Sequence, residues 1–202
     1  MTVDPERAGD RLGSLLIKVG AAMLVLVLLG WAGLWWSQRD DRAADRAAKA
    51  QAAGVAQATA AAKAHIQRWS RQSAEARAIP DPEKLNGLYL PGSKLEQVDK
   101  QTIEALRRDH LRVDLTNRVR VILVESASPD QVVARVTWSD DWFVIHATPS
   151  GKVVNKGQGD LWVTRMTLVR RGSGWRIADN LTLSRRTLEG LEPPPTSTTD
   201  AP

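Results

Sequence analysis

The spacing of hydrophobic positions changes twice along this chain. From Val19 to Trp36 apolar residues dominate, and eighteen residues pass without a charge. As a helix rising about 1.5 Å per residue, this run is roughly 27 Å long, close to a bilayer hydrocarbon core of about 30 Å. Leu15 to Lys18 adds one turn, with the Lys18 amine free to snorkel toward the headgroups. Trp31, Trp35 and Trp36 gather at the exit end, where indole rings favour the membrane interface. A signal peptide has a shorter apolar region of about 7–15 residues and small residues at its cleavage site. Here the run ends in Leu-Trp-Trp-Ser-Gln. The pattern predicts a tail at 1–14 and a retained transmembrane helix over 15–36.

Beyond Trp36 the apolar positions thin out and then return at helical spacing. Residues 37–54 are rich in Ala with Arg, Lys and Gln, all strong helix formers, and carry almost nothing large to bury. They predict a solvated helical stalk, with pairing of two stalks through Ala as the alternative. Val55, Ala62, Ile66, Trp69 and Ser73 then mark one helix face. Two prolines in "AIPDP" end that helix. Asp81-Pro82 predicts a new cap and a short second helix carrying Leu85 and Leu88. After "LYLPGS", Ser93 and Glu96 have the spacing of a capping box for a third helix reaching about Asp109, with Leu95, Val98, Ile103 and Leu106 apolar.

Next the period becomes two. Val119, Val121 and Leu123 alternate, as do Val132, Ala134, Val136 and Trp138, with Pro129-Asp130 as the turn between them. "DDWFVIHA" extends the second strand, "TPSGKVVNKGQG" reads as an irregular loop, and Trp162, Thr164, Met166 and Leu168 mark a further strand. "RRGSGW" turns into Trp175-Arg176-Ile177. The Pro/Thr-rich segment 191–202 predicts a disordered tail. The expected fold class is therefore α+β over 55–190, with about three helices packed on a curved antiparallel sheet of about four strands.

Composition narrows the chemistry. The chain has 202 residues, no Cys and a formal net charge of +5. Thiolate nucleophiles, thiolate metal sites and disulfides are excluded, and the positive charge suits an anionic surface or partner. His65, His110 and His146 lie in three segments without metal-ligand spacing. His146 ends the strand that holds Asp140 and Asp141, so either it faces solvent or it meets an acid in a cavity. The two aspartates point to opposite faces of a strand or sit in a bulge. Tyr89 is expected to pack with Leu85 and Leu88. No glycine-rich phosphate loop or serine-nucleophile motif is present. No catalytic residue, metal or cofactor is therefore expected. Arg165, Arg170, Arg171, Arg176, Arg185 and Arg186 crowd the last strands. They make either a solvated sheet face or a docking patch for an acidic partner, anionic headgroups or a cell-wall polyanion. Nucleic acid is disfavoured, because the Trp side chains fall mainly at core positions.

The order of elements resembles the NTF2-like cone fold, including the extracytoplasmic domains of VirB8-type secretion and conjugation proteins. A closer likeness lies in Tyr89, Pro91, Gly92, Ser93 and Asp99, followed by Trp162, Leu168, Val169, Arg170, Gly174, Trp175 and Arg176. These positions resemble a family of actinobacterial membrane-anchored NTF2-like proteins, and the end motif is similar to that of Mce-associated membrane proteins. The resemblance implies a cytoplasmic N-terminus, one anchor in the plasma membrane and an extracytoplasmic domain; it implies no shared activity. Basic residues flank the apolar run almost equally, so orientation rests on the short N-terminal tail and this likeness. The expected function is a non-enzymatic scaffold docking onto subunits of an envelope assembly of transport, conjugation or secretion type, with the lipid bilayer and those proteins as partners and a stalk homo-oligomer as a further possibility. The alternative is a cone cavity that binds or converts an apolar small molecule.

Overall fold

The computed structural model describes Trp31 and residues 44–188. The tail at 1–14, the span 15–36 apart from Trp31 (hence Lys18, Trp35 and Trp36), the first part of the stalk and the tail at 191–202 lie outside the described residues. Trp31 is exposed. Among the described residues no helix is long and apolar enough to cross a membrane. The chain divides into two units, Met1–Ala52 and Ala53–Pro202. In the first, residues 44–52 are helical and exposed, as their Ala-rich sequence predicts.

The second unit begins with helix α1, residues 53–78. Its buried stripe comprises Ala58, Ala62, Ile66, Trp69, Ser73 and Ala76, with His65 and Ser70 beside it. The expected second helix is one 3₁₀ turn, Pro82–Leu85, capped by Asp81, whose carboxylate accepts from the Glu83 N–H at 3.0 Å. Only four residues separate Pro82 from the Gly87 turn, where φ is +78°, so no α-helix can propagate there. Helix α2, Lys94–Arg108, starts with half of a capping box: Ser93 Oγ accepts from the Glu96 N–H, while Glu96 Oε2 reaches back one residue further, to the Gly92 N–H at 2.8 Å, and the Ser93 N–H is taken by the Leu90 carbonyl.

Five antiparallel strands follow: β1 Leu111–Ala127, β2 Gln131–Ala147, β3 Val153–Gln158, β4 Asp160–Arg171 and β5 Gly174–Thr187. The main order is β1-β2-β4-β5. One edge of β2 pairs with β1 throughout; its other edge is divided, with β4 on residues 131–139 and β3 on 142–146. β3 corrects the expectation of a loop. Its sequence, VVNKGQ, is mostly polar and exposed, and the unoccupied edge of β2 makes it a strand. The Phe143 ring covers its register partner Gly157, where an added Cβ would lie 2.7 Å from the ring.

The expected alternation of β1 is also corrected. Val119 faces the core opposite Trp138, but a bulge between Val119 and Val121 inserts Arg120 and reverses the phase. Ile122 and Val124 therefore turn inward, while Val121 and Leu123 are 45% and 58% exposed. In β2 and β4 the alternation holds. Val132, Ala134 and Val136 join Thr164, Met166 and Leu168 in the core. With Ile66, Leu85, Leu88, Ile103, Trp175 and Ile177, they fill the space between the helices and the sheet.

Candidate functional site

A polar and aromatic constellation occupies the interior between α1 and the β2–β4 half of the sheet. Trp138 and Trp162 are register partners, and their rings stack with centroids 5.4 Å apart and planes 7° from parallel. The Trp69 ring of α1 meets Trp138 edge-on, also at 5.4 Å, in the geometry favoured by the ring quadrupole. At the other end, the Arg185 guanidinium lies 4.6 Å over the Trp162 ring and is held there by Asp160 at 2.7 Å. Three indoles from α1, β2 and β4 thus form one array capped by a cation.

Tyr89 joins this array to α2. It is 3% exposed and packs with Leu85 and Leu88 as expected. Its hydroxyl also does what the sequence did not suggest: it accepts from Trp69 Nε1 at 2.7 Å and donates to Asp99. Burial, and then the Asp99 charge, raise the phenol pKa, so it remains a donor. Arg77 of α1 binds the other Asp99 oxygen at 3.1 Å. Ser93 caps α2 six residues before Asp99 reaches inward, so the cap positions the carboxylate. In this way the motif residues Tyr89, Gly92, Ser93 and Asp99 come together. Pro91 is exposed in the turn ahead of them, and Trp175 is buried on β5.

Asp140 lies where β2 passes from β4 to β3. Gly159, between those two strands, sits against its backbone: a Cβ there would be 1.4 Å from the Asp140 carbonyl oxygen. Burial pushes the Asp140 carboxyl up to about 6, opposed by Arg77 and reinforced by Asp160. The Trp162 indole is nearby, yet its N–H and that of Trp138 are buried without a hydrogen-bond partner, as are the hydroxyls of Ser73 and Thr164. Asp141 points elsewhere. It receives Arg118 at 3.3 Å and the bulge residue Arg120 at 2.7 Å, with Ser139 Oγ at 2.7 Å. The two aspartates therefore have separate surroundings and do not form an acid–base pair. A carboxyl titrating near 6 can exchange a proton at neutral pH, and sequence alone carries no signal for that burial.

His146 does meet an acid, but one from β1: its Nε2 is 3.1 Å from Asp114, and its Nδ1 is 3.1 Å from the Gly151 carbonyl oxygen. Neither Asp140 nor Asp141 takes part. His65 is buried, with Nε2 donating to the Leu88 carbonyl at 2.8 Å and Nδ1 accepting from Arg68 at 2.8 Å. Burial lowers its pKa to about 4, the charges of Arg68 and Arg176 adding to that effect, so the ring is neutral at physiological pH. His110 is exposed at the end of α2. Among the described residues no three His, Asp or Glu side chains gather as a metal site would need.

The six late arginines do not share one surroundings. Arg165 points away from the core and, with Arg135, brackets Glu125 at 2.7 and 2.8 Å. Arg185 is on the opposite, core-facing side over Trp162. Arg170 borders a small hollow with Gly54, Pro129, Ser173 and Trp175. Arg176 lines a larger one with Arg68 and Arg71 of α1. Arg171 and Arg186 are exposed.

No protein-family model and no curated protein matches the chain. Solved structures similar to it include the intermembrane-space region of the chloroplast protein ARC6, at 17% identity over 61% of this chain and 94% of that one, TM-score 0.48. Another is a hexachlorocyclohexane dehydrochlorinase of LinA type from Novosphingobium barchaimii, at 12% identity over 67% and 97%, TM-score 0.42. A third is an NTF2-like superfamily protein from Salmonella enterica serovar Typhimurium, at 15% identity over 71% and 99%, TM-score 0.41. Enzymes and a protein described only by its fold superfamily thus share this range of similarity, and none of them assigns an activity to this chain.

Proposed function

We propose that this chain is a non-enzymatic, single-pass protein of the plasma membrane, with a cytoplasmic N-terminus and an NTF2-like extracytoplasmic domain that docks onto other subunits of an envelope assembly. The observation that carries the docking half is the filling of the interior. Trp69, Trp138 and Trp162 stack through the space that a small-molecule cone would leave open, and Met166 is fully buried beside them. The apolar run from Val19 to Trp36 supports the anchor. Two measurements test this. A phosphatase fused after Pro202 is active if the domain is exported, and silence there places the domain in the cytoplasm. Native mass spectrometry of the purified full-length chain returns the bare protein mass; a retained apolar small molecule overturns the docking function.

One observation favours the alternative, a cavity that binds or converts an apolar small molecule. Asp140 titrates near 6 beside the Trp162 indole, and the buried Trp138 N–H of the same array has no hydrogen-bond partner. A ligand carrying a carbonyl or hydroxyl would satisfy that donor. Its hallmark is ligand-dependent quenching of tryptophan fluorescence that Asp140→Asn abolishes.

A further inference from the structure

A second feature of the domain, distant in kind from the tryptophan array, has the make-up of an anion site. Between α1 and the β4–β5 turn lies an open hollow of about 590 Å³, lined by Ala61, Ala64, His65, Arg68, Arg71, Ser173, Gly174, Trp175 and Arg176. Three guanidinium groups border it and no carboxylate does. Among the described residues, none of Arg68, Arg71 and Arg176 has an ion pair, although Arg165 and Arg185 on the same sheet do.

Two of the three are held in place. Arg68 donates to His65 Nδ1 at 2.8 Å and to the Gly87 carbonyl at 3.3 Å. Arg176 donates to the Trp175 carbonyl at 2.7 Å. Its guanidinium lies against Gly174, where an added Cβ would be 2.6 Å from Arg176 Nη1 and would push that group aside. His65, tied to Leu88 through Nε2, presents its unprotonated Nδ1 to Arg68 and so orients a guanidinium without adding charge. Arg68 and Arg71 are exposed and Arg176 is half-buried, so all three keep donors available to an anion in the hollow.

The number of arginines indicates the ligand. One guanidinium suffices for a carboxylate in bidentate geometry, whereas several converging ones match the three oxygens and double charge of a phosphoryl group. Ser173 adds a hydroxyl at the rim. We propose that this hollow binds the phosphoryl group of a phosphate monoester. Two sources share that chemistry, a soluble phosphate ester and the headgroup of a phosphatidic acid, and the site sits in an open hollow that admits either.

The test is calorimetric titration of the full-length chain in neutral detergent with glycerol 3-phosphate, with dihexanoyl phosphatidic acid below its micelle concentration, and with acetate. Saturable binding of at least one phosphate ester is expected, with acetate at least about tenfold weaker. Equal affinity for the two esters assigns a soluble source, and tighter binding of the phosphatidic acid assigns the lipid headgroup. The Arg68→Gln/Arg176→Gln variant weakens binding at least about tenfold, whereas Arg165→Gln, altered on the opposite face, binds as the wild type does. Mapping arginine modification by phenylglyoxal in the unaltered protein gives a readout that does not depend on a variant folding: the phosphate ester protects Arg68 and Arg176 and leaves Arg165 reactive. Binding of neither ester, equal binding of acetate, or no protection of Arg68 and Arg176 overturns the proposal.

Discussion

Tyr89→Phe isolates the hydroxyl that ties three elements together. The substitution keeps the ring packed among Leu85, Leu88 and Ile177 and removes one oxygen with two bonds: acceptance from Trp69 Nε1 at 2.7 Å and donation to Asp99. A neutral buried hydrogen bond contributes about 1 kcal/mol and one to a charged group about 1.5–3 kcal/mol. Asp99 keeps Arg77 at 3.1 Å, which holds the second figure near its lower end. Trp69 is left with a buried N–H and no acceptor, so the expected loss is about 2–3 kcal/mol. For a domain of this size that lowers the melting temperature by roughly 4–10 °C. Urea unfolding followed by fluorescence reads the same loss, since Trp69 and its two stacked neighbours report on the array. The phenol pKa is raised by burial and by the Asp99 charge, so the loss stays constant from about pH 6 to pH 9. A double-mutant cycle with Asp99→Asn is expected to show a coupling of at least about 1 kcal/mol. A loss below about 0.5 kcal/mol, or strict additivity in the cycle, would refute the hub.

Two further outcomes follow from Asp140 and its neighbour. Asp140 binds its proton more tightly folded than unfolded, because burial raises its pKa from 3.8 to about 6. Unfolding therefore releases that proton, and stability falls as pH rises from about 4 to about 6. Asp140→Asn removes this dependence: the variant gains on the order of 2 kcal/mol over the wild type at pH 8 and nothing at pH 4, measured by denaturant midpoints. A gain independent of pH would contradict the burial. Gly159→Ala places a Cβ 1.4 Å from the Asp140 carbonyl oxygen, a backbone atom that cannot rotate away. The step from β4 to β3 must then open, at a cost above about 3 kcal/mol, and a melting temperature within 3 °C of wild type would show that the contact relaxes freely.

What could be read from the sequence was what depends on near neighbours. The alternation of Val132, Ala134 and Val136, the Ser93–Glu96 cap and the stripe from Ala62 to Ser73 all depend on residues within one or two turns, and they came out as the spacing implies. The β1 phase did not. A single inserted residue, Arg120, reverses the faces, and the reason for it lies about twenty positions away at Ser139 and Asp141. β3 was illegible because its strand character comes from a free edge on β2 rather than from its own polar residues. The same holds for the sites. Tyr89 announces packing but not its partners Trp69 and Asp99, and Asp140 looks like half of an acidic pair until Gly159 fixes it in the interior. The arginine-lined hollow joins α1 to a turn roughly a hundred residues later, a distance over which no spacing rule operates.

The short parallel bridge between Tyr89 and Ile177 has a consequence in time. The Ile177 N–H reaches the Leu88 carbonyl at 2.9 Å, and the Leu90 N–H reaches the Ile177 carbonyl at 2.8 Å. The turn that seats Tyr89 is thus finished by β5, the last of the described strands. A growing chain can coil α1 and zip β1 to β2 early, because those contacts are local. It cannot fix the backbone around Tyr89 until Ile177 has been made and brought back. A chain that stops before Trp175 lacks both backbone bonds that hold residues 88–90, and with them the seat of Tyr89.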